Sequence, residues 1–115
     1  MHELGITFYI IKDVKNVAVE NNVSKVHSVS LEIGEVSGII DEYLEDCWNW
    51  AVKKEGELLQ DAKLICETLK AITYCTNCNK TYETVKFGKI CPYCKSEKTY
   101  LKVGTECNIK QIEAS

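Results

Sequence analysis

The sequence lacks any run of apolar residues long enough to cross a membrane. No apolar stretch approaches the ~20 residues that a transmembrane helix requires. The N-terminus has no basic region followed by an apolar stretch, so we expect no signal peptide. The 115 residues suffice for one core and a small satellite, but not for two full domains. We therefore expect a soluble globular protein that does not contact membranes.

The sequence also lacks the residue sets that enzymes use. It has no Ser/His/Asp set, no glycine loop for phosphate and no paired acids around a cleft, so we predict that the chain is not an enzyme. The net charge of −3 has the wrong sign for a phosphate-binding protein, and we expect no nucleic-acid partner. Five lysines in the cysteine-rich segment can offset thiolate charge locally: Lys80, Lys86, Lys89, Lys95 and Lys98.

Four cysteines form two Cys-x-x-Cys pairs separated by twelve residues: Cys75, Cys78, Cys91 and Cys94. Each pair predicts a tight loop that points both sulfurs inward, and two such loops complete a tetrahedron of thiolates suited to structural Zn²⁺. Iron has the same ligands in a rubredoxin-like site, and disulfides or a redox pair are further alternatives. Seven cysteines with a zinc spacing favour a reducing cytoplasm. We expect the other three to be small core residues: Cys47, Cys66 and Cys107.

The pattern predicts an α+β fold with two helices packed on a small three-stranded sheet. A four-cysteine zinc ribbon lies between the last two strands. Residues 1–73 and 99–115 form a discontinuous domain, and residues 74–98 form the ribbon. Asp41 is expected to cap the second helix. The predicted first helix covers residues 2–20, and the second begins at Asp41 and should end at Gly56. The predicted strands cover residues 28–33, 64–74 and 100–113.

The first three residues, Met1-His2-Glu3, offer a chelate for a second metal. The Met1 amine, the His2 backbone nitrogen and the His2 imidazole can close adjacent rings on one ion. The backbone nitrogens of His2 and Glu3 with the same imidazole give an alternative. Both sets favour Ni²⁺ or Cu²⁺ and leave one in-plane position open. The Glu3 carboxylate, an acidic side chain such as Asp41, or a partner's donor can fill that position.

Three segments in this order resemble the HypA/HybF family of hydrogenase nickel-incorporation metallochaperones. They are Met1-His2-Glu3-Leu4-Gly5-Ile6, the stretch from Leu31 to Gly38 (LEIGEVSG), and the two Cys-x-x-Cys pairs. The resemblance covers essentially the whole chain. It implies Ni²⁺ as transient cargo on His2, a contribution from Glu3, and structural Zn²⁺ on the cysteine quartet.

The resemblance also implies partners: a nickel-binding GTPase and the large subunit of [NiFe] hydrogenase, with urease as a second possible recipient. The exposed side of the first helix around Lys12, Lys15 and Asn16 is a candidate surface for the GTPase. We expect a monomer or weak homodimer. Some members of the family supply a further histidine as a nickel ligand near the position that Lys98 occupies here. This chain has no histidine in that segment, and apart from His2 its only imidazole is that of His27. A zinc-ribbon adaptor in transcription or RNA handling and a thiol–disulfide enzyme remain alternative functions.

Overall fold

The computed structural model describes residues 2–115, and in this part of the chain it has three helices and two three-stranded sheets. The helices are α1 (Glu3–Glu20), α2 (Asp41–Val52) and α3 (Thr84–Phe87). The strands are β1 (Val26–Gly34), β2 (Lys63–Leu69), β3 (Ile72–Cys75), β4 (Thr81–Glu83), β5 (Thr99–Val103) and β6 (Cys107–Ala114). Among residues 2–115, none of the helices has the length and apolar character needed to span a bilayer.

The first sheet has the strand order β2-β1-β6. The Lys25 and Ser115 backbones exchange hydrogen bonds, and the Gly34 amide donates to the Glu106 carbonyl, so β1 and β6 run antiparallel. Helices α1 and α2 contact each other. Their buried side chains include Val14, Leu44 and Trp48, whose indole N–H donates to the Ala62 carbonyl over 2.9 Å. This region is therefore held together by apolar burial.

The second sheet has the order β4-β3-β5, with β3 antiparallel to both neighbours. It lies within one of two compact units. The first unit contains residues 1–32, 39–67 and 108–115, and the second contains residues 33–38 and 68–107. All four cysteines of the quartet belong to the second unit. The predicted domain boundaries at residues 73/74 and 98/99 remain a prediction.

The predicted fold class is confirmed, but the second helix ends at Val52 rather than at Gly56, and two predicted strands are wrong in their length. The strand predicted for residues 64–74 is interrupted at residues 70–71, and the strand predicted for 100–113 is interrupted at 104–106. Both interruptions face the segment that follows β1: the Glu35 amide donates to the Leu69 carbonyl and the Val36 amide to the Gly104 carbonyl. Gly104 has φ +139°, and a Cβ there would lie 2.6 Å from the Ala71 Cβ. Only glycine fits this crossing.

The predicted capping role of Asp41 is also wrong. Ile40 occupies the N-cap position of α2, and Asp41 is the first helical residue. The Ile40 side chain makes no capping hydrogen bond to the helix amides. The Ile40 backbone amide donates a hydrogen bond to a Glu3 carboxylate oxygen over 3.3 Å. An acidic residue still lies in the first helical turn, where the helix dipole favours negative charge.

Candidate metal sites

Two loops with matching backbone geometry carry the cysteine quartet. In the first, the Asn79 amide donates to the Cys75 carbonyl over 2.9 Å, and the Cys75 amide donates to the Lys80 carbonyl over 2.9 Å. Asn79 has φ +60°, a left-handed conformation that asparagine tolerates better than most residues. These bonds turn the chain back on itself between the two cysteines of the pair.

The second loop repeats the pattern sixteen residues later. The Lys95 amide donates to the Cys91 carbonyl over 2.9 Å, and the Cys91 amide donates to the Ser96 carbonyl over 3.0 Å. Lys95 takes the left-handed conformation with φ +64°. The two Cys-x-x-Cys pairs therefore form the same kind of turn, each specified by its local sequence.

The structure brings all four predicted sulfur ligands together. The Cys75 and Cys94 Sγ atoms are 3.6 Å apart, as are those of Cys78 and Cys91. All four Sγ atoms lie within 4.8 Å of one another. Four sulfurs at the usual Zn–S distance of about 2.3 Å in a regular tetrahedron are separated by about 3.8 Å. The arrangement fits a closed four-thiolate metal site.

The electrostatics of the quartet also favour a bound cation. The Asn77 side-chain amide, 3.4 Å from the Cys94 sulfur, and the Ser96 backbone lower the pKa of Cys94 to about 6. Burial and the neighbouring cysteines raise the pKa of Cys78 to about 12. At neutral pH the sulfurs cannot all ionise without compensation, and a divalent metal supplies the missing positive charge.

Of the predicted nickel ligands, Met1 lies outside the described residues, and the other two residues begin α1. His2 is exposed and occupies the N-cap position, with φ −93° and ψ 70°. Its carbonyl accepts the Ile6 amide over 3.1 Å, so the first helical bond is already formed. The imidazole is therefore presented at the start of a regular helix.

The Glu3 carboxylate faces inward. The residue is only 8% exposed, its carboxylate accepts the Ile40 amide, and its backbone carbonyl accepts the Thr7 hydroxyl over 2.9 Å. Burial raises the pKa of this carboxyl, but hydrogen bonds from the Glu3 and Ile40 amides outweigh that effect and leave the pKa below its usual value. This carboxylate thus joins the start of α1 to the start of α2, a role that sequence reasoning did not identify.

None of the remaining predicted residues belongs to the group of sulfur ligands. The His27 Nε2 atom lies 2.9 Å from the Ser115 hydroxyl, which agrees with a surface residue. The Lys98 carbonyl accepts both the Thr76 amide and the Thr76 hydroxyl, each over 2.9 Å. Cys47, Cys66 and Cys107 are partly buried and not the core residues that were predicted.

Within residues 2–115, the cysteine quartet is the only group of three or more histidine, cysteine or acidic side chains placed to hold one metal ion. A sequence model of a family described as hydrogenase/urease nickel incorporation, metallochaperone, hypA matches residues 1–114. The chain belongs to the HypA family.

Curated relatives are similar over nearly their whole length. The hydrogenase maturation factor HypA of Aquifex aeolicus is 33% identical, with 98% of this chain and 96% of the relative aligned. HypA of Methanococcus aeolicus is 38% identical, over 96% of this chain and 94% of the relative. The solution structure of the Ni metallochaperone HypA from Helicobacter pylori has a TM-score of 0.74 at 22% identity, covering 99% of this chain and 97% of that one. That last likeness concerns the fold alone.

Family membership confirms the broad prediction of function. The chain is a nickel metallochaperone of hydrogenase maturation, carrying a four-cysteine cluster suited to metal.

Proposed function

We propose that this protein binds Ni²⁺ through the His2 imidazole and N-terminal backbone nitrogens and delivers it for [NiFe] hydrogenase maturation in the cytoplasm. The observation that carries this proposal is the match of the HypA family model to residues 1–114. The position of His2 supports it, because an exposed imidazole at the first turn of a helix is accessible to a metal and to a receiving protein.

The start of α1 also supports the use of backbone nitrogens as ligands. The first amides of a helix have no carbonyl four residues earlier to bind, and His2 and Glu3 occupy the N-cap and first helical positions. A metal can therefore replace the amide proton of His2 without breaking a backbone hydrogen bond of the helix. At Glu3 it would also have to replace the hydrogen bond that the Glu3 amide donates to its own carboxylate. Both predicted chelates use the His2 nitrogen, and they differ in whether the Met1 amine or the Glu3 nitrogen is the third donor.

The in-plane position that these three donors leave open requires a further ligand. The Glu3 carboxylate is already engaged by backbone amides, so using it for nickel would break the link to Ile40. Asp41 follows Ile40 directly and is only partly buried. We therefore assign Glu3 a positioning role and favour Asp41 or a donor from the receiving protein as the fourth ligand.

We assign Zn²⁺ to Cys75, Cys78, Cys91 and Cys94. Two of the Sγ–Sγ distances are 3.6 Å, and all four Sγ atoms lie within 4.8 Å of one another. These distances suit a small tetrahedral ion held by four thiolates. Such a closed site has no vacant position for exchange, whereas a carrier has to release its cargo. The zinc accordingly stabilises the fold, and the nickel occupies the separate N-terminal site.

The proposed partners are a nickel-binding GTPase and the large subunit of [NiFe] hydrogenase, with urease as a second recipient to be tested. On α1, Lys12 and Lys15 border a shallow groove of about 240 Å³ that Phe8 and Ile11 also line. Lys15 forms an ion pair with Glu55, which leaves Lys12 as the freer charge for a GTPase contact. We propose that the protein acts as a monomer or weak homodimer.

A nickel titration of protein with a native N-terminus tests the assignment of His2. The His2→Ala variant should lose tight nickel binding and keep its fold, because the exposed imidazole contributes to no core. Nickel affinity of the parent should also fall as the pH is lowered, because protons compete with the metal for its nitrogen ligands. The spectroscopic d–d bands and the dissociation constant give the two readouts.

Two controls make the titration decisive. His27→Ala removes the other imidazole and should leave nickel affinity unchanged. Extra residues before Met1 remove the terminal amine: loss of binding implicates the amine, and retention implicates the Glu3 nitrogen. Zinc content is measured in each sample, so that nickel displaced into the quartet is not counted. Nickel binding by His2→Ala at the parent's affinity would refute the proposed site.

A further inference from the structure

The second unit exposes apolar side chains that lie beside lysines in the sequence. We call this set the ribbon patch, and it consists of Val85, Lys86, Phe87, Lys89, Ile90 and Leu101. Phe87 is 45% exposed and Ile90 is 50% exposed, although both lie in a small region where apolar residues are scarce. The proposed metal sites use none of these side chains.

Strand pairing and ring packing place Leu101 and Phe87 on the same side of the sheet, with the Lys89 backbone beside them. Thr73 pairs with Tyr82 on one side and with Leu101 on the other, so these three side chains share a face of the sheet. The Phe87 ring packs edge-on against Tyr82, with ring centroids 6.0 Å apart. The Lys89 carbonyl accepts the Thr99 hydroxyl over 2.6 Å, which places the chain beside Leu101.

This arrangement is fixed rather than loose. The Tyr82 hydroxyl donates to the Gly88 carbonyl over 2.8 Å, and the Thr84 amide donates to the Ala71 carbonyl over 3.0 Å. Both ends of the segment 84–90 are thus tied to the sheet. A preorganised surface of this kind loses little entropy when a partner binds.

The charge of the ribbon patch is unbalanced. Within the part of the chain that the structure describes, Lys86 and Lys89 form no ion pair, whereas Lys70 pairs with Glu83 nearby. Residues 33–38 and 68–107 carry seven lysines against four acidic residues, and the rest of the chain carries seven lysines against thirteen. The lysines are thus divided equally, but the side chains of the unit that carries the patch sum to +3 and those of the rest to −6. A Zn²⁺ ion held by four thiolates would add −2 and leave this unit at +1.

We propose that the ribbon patch docks an acidic segment of the protein that receives nickel, with carboxylates facing Lys86 and Lys89 and an apolar side chain packed on Phe87 and Ile90. This inference rests on the proposed function, since it assumes that the protein hands its cargo to another protein. Complementary charge would orient the recipient during encounter, and the apolar contact would hold it during metal transfer.

Protein fits the patch better than nucleic acid does. Three of its four apolar residues are aliphatic, and single-stranded nucleic acid is bound mainly by stacking on aromatic rings. Two unpaired lysines would neutralise few phosphates, and the chain as a whole has a net charge of −3. An anionic lipid surface would also accept lysines and aliphatic residues, so it is included as an outcome of the test.

The test measures binding of the purified precursor of the [NiFe] hydrogenase large subunit to zinc- and nickel-loaded full-length protein. The double variant Lys86→Glu/Lys89→Glu should bind about tenfold more weakly, since like charges would then face each other. Binding of the parent should weaken with salt more steeply than binding of this variant. Ile90→Ser, which keeps both lysines, should also weaken binding and leave the salt dependence unchanged.

The control Lys53→Glu/Lys63→Glu makes the same change in net charge on exposed lysines of the other unit and should bind like the parent. Nickel affinity and zinc content should be the same in all variants. A wrong assignment of the nickel site to His2 would therefore show in the nickel affinities, whereas a wrong docking surface would show in binding to the precursor. Parent-like docking by both the charge variant and Ile90→Ser would overturn the proposal. Charge-dependent binding of the parent to phosphatidylserine vesicles or single-stranded RNA, with no binding to the precursor, would also overturn it.

Discussion

The two compact units of this protein are stabilised by different means. In the first, buried aliphatic and aromatic side chains from two helices and a sheet form an ordinary core, with Leu44 and Trp48 fully buried. In the second, the cluster around Cys75, Tyr82 and Cys91 is completed by the half-buried Cys78 and Cys94. Four of its five members are the predicted metal ligands. Without a metal this cluster has almost no apolar core, so we expect the unit to depend on a bound ion for its stability.

The division of labour follows from this difference. We expect a metal at the centre of this small cluster to leave only when the ribbon unfolds, so the quartet suits a permanent ion. A metal at the exposed start of α1 can leave while the core of the first unit stays intact. The site for exchange is therefore expected in the unit that does not need metal to fold.

Removal of one quartet ligand should have the largest effect. We expect Cys75→Ser to release zinc and to disorder residues 75–94, because structural zinc contributes roughly 10–16 kcal/mol to folding of such small sites. The helices of the first unit should persist. Amide dispersion in NMR spectra and zinc content measure the two regions separately.

The matched control for that variant is Cys47→Ser, a partly buried cysteine of α2 outside the quartet. It should retain one zinc per chain and a folded ribbon. Native dispersion of residues 75–94 together with one tightly bound zinc in Cys75→Ser would remove the assignment of the quartet.

A core substitution in the first unit should have the next largest effect. Leu44 is fully buried in α2, so Leu44→Ala should lower the free energy of unfolding by about 2–5 kcal/mol. Zinc content should stay at one per chain below the unfolding transition. Denaturant unfolding followed by helical circular dichroism checks this prediction, with the exposed neighbour Tyr43→Ala expected to change stability by less than about 0.5 kcal/mol. Loss of zinc in step with the helical signal would mean that the two regions unfold as one.

Features with a local sequence signal were predicted well. The apolar period of α1 and the alternation in β1 depend on neighbouring residues, and each Cys-x-x-Cys pair specifies its own turn. The four sulfurs converge because both turns point inward, which is why the quartet was predictable before any coordinates.

Features that depend on distant partners were not predictable in the same way. The hydrogen bond from the Ile40 amide to the Glu3 carboxylate joins residues 37 positions apart, and no local sequence pattern predicts it. The interruption of the predicted strands depends on the close approach of Ala71 to Gly104, although an isolated glycine within a strand pattern was a usable signal. The role of Asn77 is not predictable from its own loop, because its side-chain amide donates to the Cys94 sulfur in the other loop.

The smallest predicted effect concerns Asn77 and acid release of zinc. Asn77→Ala removes the amide that lowers the pKa of Cys94 to about 6, and loss of such a supporting hydrogen bond typically weakens metal binding by roughly 10-fold or more. A depressed thiol pKa stabilises the folded quartet fully above the usual value of 9.0, and this contribution is lost as pH falls toward about 6. Zinc should therefore leave the variant at a higher pH than the parent, measured with a chromophoric chelator.

The number of protons taken up on release tests how far the ribbon depends on its metal. If the ribbon unfolds with zinc loss, the four released thiols belong to an unfolded chain and take up close to four protons at pH 7. If it stays folded, Cys94 remains a thiolate above about pH 6 and uptake is at most three. With four protons involved, a tenfold weaker site shifts the release midpoint by only about a quarter of a pH unit. Asn49→Ala, on the exposed face of α2, should not shift the midpoint. Identical release curves for Asn77→Ala and the parent would mean that the Asn77 amide does not support the Cys94 thiolate.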